Sequence, residues 1–287
     1  MQCFAALRRY LFVLVSLWPH PVFAEFINWE GTKKSLFDAK YEIGAAVGGI
    51  TYLGVKEWNW GSASFKFNDE GWFGMDTGSG GIDKLGHMYS SYLIAEAISN
   101  GLSRDNTPEF AATYSALWAS SLMLYVEVFD GYSADHGFSY EDVILNSTGV
   151  AFSYLRTRYP RVKELLDYRL DYRPSEGMKG FHPVTDYSGM RYLLALKAAG
   201  IPALRDTPLK YLEFNLGYSA RGFKASDAPY IPERKSELFV GISFNLDELL
   251  FKPFADQLGR VGTYASTLSH YYQPRGSYIK TTVHERD

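Results

Sequence analysis

Cysteine is nearly absent: the 287 residues hold one, Cys3, in an N-terminal stretch that reads as an export signal. A mature chain without it excludes disulfides, a thiol nucleophile and a thiolate metal site. Positive charge is also thin. Lys and Arg number 29 against 32 Asp and Glu, and no basic tract exists to hold a nucleic-acid backbone. A Gly-x-Ser-x-Gly elbow, a P-loop and a dinucleotide fingerprint are missing. Phe110–Val126 carries no charge, but it only reaches the lower limit of about 17–25 residues for a spanning helix. Thr113, Ser115, Ser120 and Ser121 dilute it further. A buried core helix and a helix half-embedded in a membrane face both fit, with a membrane-associated periplasmic bundle favoured.

Aromatic residues are plentiful at 16%, a bias that suits envelope proteins whose surfaces meet an interface. At the N-terminus, Arg8 and Arg9 precede the apolar run Tyr10–Trp18. Val22-Phe23-Ala24 then offers a small-residue cleavage site before Glu25. This pattern predicts an exported protein with a signal over 1–24. A helical bundle would occupy 25–175 and a small β region with a helix 176–287.

Periodicity gives an α+β expectation: about four helices, then a small antiparallel sheet and a C-terminal helix. Helices are predicted over Ser35–Val55, Asp83–Leu102, Pro108–Asp130 and Ser139–Tyr159, with a long Gly- and Trp-rich loop over Asn59–Gly81. Gly44, Gly48, Gly49 and Gly54 weaken the first helix, and their spacing would let another helix approach closely. After Pro160 the period becomes two. Leu212–Tyr218 and Glu237–Leu246 alternate clearly; Tyr192–Ala198 and Ser277–Val283 are further strands, and Asp247–Tyr272 is helical.

Three segments place polar groups one helical turn apart: Asp83 with His87, Glu127 with Asp130, and Asp142 with Asn146. Their apolar flanks suggest inward faces sharing one polar pocket. Simpler roles compete. Asp83 suits a helix N-cap, and Ser139-Tyr140-Glu141-Asp142 reads as a capping box. Glu127 follows an apolar run, where a lone carboxylate is costly, so it needs a partner, with His87 or Lys84 the natural candidates. Asn146 needs its amide satisfied, and His136 with Asp135 sits on the following loop, at the expected mouth. His87, Glu127 and Asp130 have a metal-site composition, but no second histidine stands at helical spacing, so metal and cofactor stay open. Tyr89 and Tyr92 read as core aromatics.

The runs DKLGHMYSSY from Asp83 and EVFDGYSADHGFSYEDVILNSTG from Glu127 resemble the YfiM-like group of predicted periplasmic lipoproteins. The skeleton Asp-Lys-x-x-His, Glu, Asp-x-x-x-Asn-x-x-Gly is also similar to VanZ-like membrane proteins. This resemblance covers roughly residues 40–175, and DYSG with LGYSARGF extends it into Asp186–Leu249. It implies a location in the envelope of a Gram-negative bacterium, in the periplasm or at a membrane, and no assigned activity. Cys3 precedes the cleavage position, so the lipoprotein's modified cysteine is not expected to transfer.

The leading expectation is an envelope protein of undetermined activity whose polar cluster fixes packing and binds a lipid or glycan headgroup. An envelope hydrolase or transferase acting on a lipid-linked or peptidoglycan-related substrate is the alternative. His87, Glu127, Asp130 and Asp142 would then be catalytic, and Asp83, Lys84, His136 and Asn146 would contact the ligand. A third reading is a scaffold that recruits an envelope partner through its strand edges.

Overall fold

The computed structural model describes residues 27–287. The export signal expected over 1–24 lies outside them. The described residues form two compact units, each discontinuous in sequence. The first runs up to Glu70 and resumes over Ser90–Arg158. The second comprises Gly71–Tyr89 and Tyr159–Asp287.

The first unit is helical. Its chain opens with α1 (Trp29–Asp38) and α2 (Lys40–Lys56), so the single helix expected over Ser35–Val55 is two. Asn28 caps α1 by accepting from the Gly31 N–H, which starts the helix upstream of Ser35. Ala39, at φ −111° and ψ 23°, breaks the ladder between them. The glycine expectation also needs correcting: a Cβ on Gly44, Gly48 or Gly49 would meet open space. Only Gly54 makes a close approach, with the Trp60 ring 2.2 Å from where its Cβ would stand.

Helix α3 (Ile82–Leu102) belongs to this unit from Ser90 onward, and α4 (Pro108–Asp130) and α5 (Tyr140–Arg158) complete it. Thr107 caps α4 by accepting from the Phe110 N–H, with Pro108 at the first helical position, as the sequence predicts. The Ser139 hydroxyl likewise accepts from the Asp142 N–H at 3.2 Å. Ile43, Ile98, Leu102, Leu122, Met123 and Val126 form the core, each worth about 1.5–3 kcal/mol on burial. The Phe110–Val126 run therefore buries one face in protein. The loop after α2 is irregular as expected and is pinned to residues 131–138 by Phe138 N–H to Lys66 O at 3.0 Å and Asn68 N–H to Phe138 O at 2.9 Å.

In the second unit a short helix, α6 (Pro160–Leu165), feeds directly into β1 (Leu166–Tyr172). Strands β2 (Met190–Lys197), β3 (Leu212–Arg221) and β4 (Lys235–Phe244) follow. A helical turn over Asp247–Phe251 leads to α7 (Ala255–Ser269), and β5 (Tyr278–Arg286) closes the chain. The five strands form one antiparallel sheet in sequence order, with β1 and β5 at its edges. β1 is the strand the periodicity argument misses. It alternates Asp167, Arg169 and Asp171 with Tyr168, Leu170 and Tyr172, and alternate charges imitate a solvated segment.

The register sets the two faces. Tyr168, Leu194, Leu216 and Val240 align across β1–β4 on one side, and Asp167, Ala195, Asn215 and Gly241 on the other. The polar side is the better buried of the two: Glu213 is 1% exposed, whereas Leu216 beside the next position is 48% exposed.

Candidate functional site

The first predicted motif stands at the start of α3, in the second unit. Gly80 and Gly81, at φ +62° and +80°, turn the chain into the helix where a side chain would be strained. Asp83 occupies the first turn, where the helix dipole favours an acid. Its carboxylate accepts a hydrogen bond from the Tyr187 hydroxyl, and its oxygens stand 3.7 Å from Lys84 Nζ and 4.0 Å from His87 Nε2. Burial by itself would raise the Asp83 carboxyl. The charges of His87 and Lys84, the Tyr187 bond and Lys224 outweigh it and hold the group at about 2. Asp83 is thus ionised at neutral pH, an acceptor held by cations. The i,i+4 spacing does put His87 on the same face, at ion-pair rather than hydrogen-bond distance.

Beside this motif lies a feature that the polar-pocket reading does not contain. An apolar cavity of about 430 Å³ separates the sheet from the first turns of α3. Phe73, Leu85 and Met88 form one wall, and Leu194, Leu216 and Leu238 the other, with Tyr168, Tyr192 and Tyr218 between them. The rings of Tyr89, Tyr168 and Tyr192 pack together with centroids 5.5–5.8 Å apart. Each phenol has a partner: Tyr168 donates to Leu85 O at 3.1 Å, Tyr89 to Tyr271 O at 2.7 Å, Tyr192 to Met190 Sδ at 3.3 Å, and Tyr218 to Gly80 O. Burial pushes Tyr168, Tyr192 and Tyr218 above the ordinary tyrosine value, so this wall is uncharged at neutral pH. His284 and Arg286 supply polarity at one end, where Arg286 Nε stands 3.0 Å from His284 Nε2.

The sheet's other side holds a network that the sequence reading also lacks. Arg169 binds Glu213 through two bonds of 2.6 and 2.9 Å and Asp167 through one of 2.7 Å. Asp167 also meets Lys197 Nζ at 3.0 Å and His270 Nδ1 at 3.1 Å, and His270 Nε2 stands 3.0 Å from Asp247. Burial alone would lower His270, but its bonds to Asp167 and Asp247 prevail and raise it. Every charge here is partnered, as burial of ions requires. Charged alternation in β1, with Lys197 and Glu213 on neighbouring strands, is the signal that could have revealed it.

The remaining predicted residues lie in the first unit. Glu127, 1% exposed, accepts from Asn146 Nδ2 at 2.9 Å, so its partner inside this unit is the amide of the next motif. Asp130 accepts from Trp60 Nε1 at 2.6 Å. Asp142 is buried and its N–H is capped by Ser139. His136 sits on the loop before α5, its backbone N–H donating to Ser133 Oγ at 3.3 Å. The space beside Glu127 and Asn146 is only about 40 Å³, room for little more than a water. Nearby, Arg156 Nε lies 3.4 Å from Glu96 and its guanidinium stacks on Tyr92 and Phe152.

These features define a mixed α+β protein with a helical N-terminal region and an apolar cavity on a five-stranded sheet. Residues 69–158 match the family described as predicted periplasmic lipoprotein (DUF2279), a family of unknown function. No curated protein and no solved structure matches the chain significantly. The match lies with the first of the two resembled families; the VanZ-like likeness finds no support. Among the described residues no helix is long and apolar enough to cross a membrane. Together with the family description, this is consistent with an exported, envelope-associated protein.

Proposed function

We propose that this envelope protein binds an acyl-chain lipid, and that the second unit rather than a polar pocket is where it does so. The apolar cavity beneath α3 carries the reading. Its volume of about 430 Å³ falls inside the range of about 300–1,000 Å³ typical of ligand pockets. An uncharged wall of leucine, methionine and neutral tyrosine suits hydrocarbon. His284 and Arg286 at one end suit a carboxylate or phosphate. Asp83 and Lys84 would then position the start of α3 rather than perform chemistry.

The test is a titration of the full exported chain with a long-chain fluorescent fatty acid, alongside native mass spectrometry for co-purified lipid. One saturable site is expected. Leu216→Trp, on a half-exposed position of the cavity wall, should fill the space and weaken binding at least tenfold, about 1.4 kcal/mol. Absence of saturable binding, or equal binding by the folded variant, refutes the proposal.

A further inference from the structure

Over β3, β4 and β5 the sheet of the second unit keeps its charges in and its hydrocarbon out, whereas over β1 and β2 the apolar side is covered, with Tyr168 and Tyr192 buried. Phe214, Leu216, Val240, Ile242, Phe244 and Ile279 lie on one face of β3, β4 and β5, each more than two-fifths exposed. The register confirms the shared face: Phe214 pairs with Ile242, which pairs in turn with Ile279, and Leu212 pairs with Phe244. The opposite face carries Arg169, Glu213, Lys197 and Asp167, buried and mutually paired. In a protein meeting only water, this arrangement costs free energy on both sides, since apolar area stays wet while ions are desolvated.

We propose that this face lies against the acyl region of a phospholipid monolayer, so that the second unit docks on a membrane surface through β3, β4 and β5. The occupant follows from three observations. Outward apolar and inward polar alternation is the pattern of strands that meet lipid. The patch is centred on β3 and β4, whose backbone groups are paired by neighbours on both sides, so contact with hydrocarbon strands no peptide group there. Leu194 and Leu216 belong at once to this face and to the cavity wall, so hydrocarbon outside is continuous with hydrocarbon space inside. With no charge on Phe214, Leu216, Val240, Ile242 or Ile279, attraction is apolar rather than ionic. The sheet is open, with β1 and β5 as its edges, so docking places one face in the monolayer without spanning it.

The experiment uses the full exported chain and vesicles of neutral phosphatidylcholine. Cosedimentation is expected, changing less than twofold between low and high salt. The triple substitution Phe214→Glu, Ile242→Glu, Ile279→Glu should raise the lipid concentration for half-binding at least tenfold while far-UV circular dichroism and fatty-acid binding stay unchanged. These residues do not line the cavity, so docking and cavity occupancy fail separately. A second variant reports the contact without adding charge. Of the six tryptophans none lies on the sheet strands, the last in sequence being Trp118, so Ile242→Trp places a reporter on the sheet, and bromine-labelled acyl chains should quench it beyond the parent chain's level. The proposal is overturned if the wild-type chain stays in the supernatant or if the reporter is not quenched. It is overturned equally if the triple variant only converts a dimer to a monomer, which would make the face a contact between copies.

Discussion

Replacing Arg169 with methionine removes a charge from the buried face of the sheet while keeping a stem of similar length. The guanidinium gives two bonds to Glu213, one to Asp167 and one, at 2.8 Å, to Gln273 Oε1. Without it, Asp167 retains Lys197 and His270, but among the described residues Glu213 is left with only the Ser243 hydroxyl at 3.1 Å as a side-chain donor. Glu213 is 1% exposed, so water cannot replace what it loses. Removing one partner of a buried pair costs about 3–5 kcal/mol. At about 2–4 °C per kcal/mol, the melting temperature should fall by about 6–20 °C in a circular dichroism melt at pH 7. Adding Glu213→Gln to the variant relieves the stranded charge and should return about 1–3 kcal/mol. The pH dependence is a second check. Burial would raise Asp167, but its bond to His270 and the charges of Lys197 and Arg169 hold it well below its ordinary value of 3.8. A depressed carboxylate contributes stability above its unfolded value and loses it as pH falls, so the deficit of Arg169→Met should narrow below about pH 4. An unchanged melt at pH 7, or a deficit constant down to pH 3, would refute the reasoning.

Asn146→Leu should destabilise the first unit by about 1–3 kcal/mol, because it takes the amide donor from buried Glu127; denaturant titration measures this, and a variant as stable as the parent would make that bond unimportant. Asp83 is held at about 2 against an ordinary 3.8, which amounts to about 2 kcal/mol of stability, present above pH 4 and lost as pH falls toward 2. Asp83→Asn should therefore lower stability at pH 7 by about that amount and flatten the acid limb of the stability curve between pH 4 and 2. An acid limb identical to the parent's would count against it.

The helical caps were legible in the sequence because they are local. Thr107-Pro108 and Ser139 mark helix starts through bonds spanning three residues, and no tertiary context is needed to form them. The strand alternation of Leu212–Tyr218 and Glu237–Leu246 was legible for the same reason. The start of the first helix is not legible in the apolar pattern because Asn28, outside that pattern, sets it. β1 is not legible because alternate Asp and Arg read as a wet surface until Glu213, Lys197 and His270 arrive from distant positions to pair them.

The sequence by itself determined the α+β order and the one-turn spacing that aligns Asp83 with His87. It could not determine which side of each strand is buried, because a period of two is symmetric between the faces. Only the tertiary structure decided that the charged side is enclosed and that the hydrocarbon side is open over β3, β4 and β5 but covered at Tyr168 and Tyr192. It also decided that the space beside α3 is an apolar cavity, since that cavity's walls come from residues as far apart as Phe73 and Arg286. Local physics writes the elements, and long-range pairing chooses their environment.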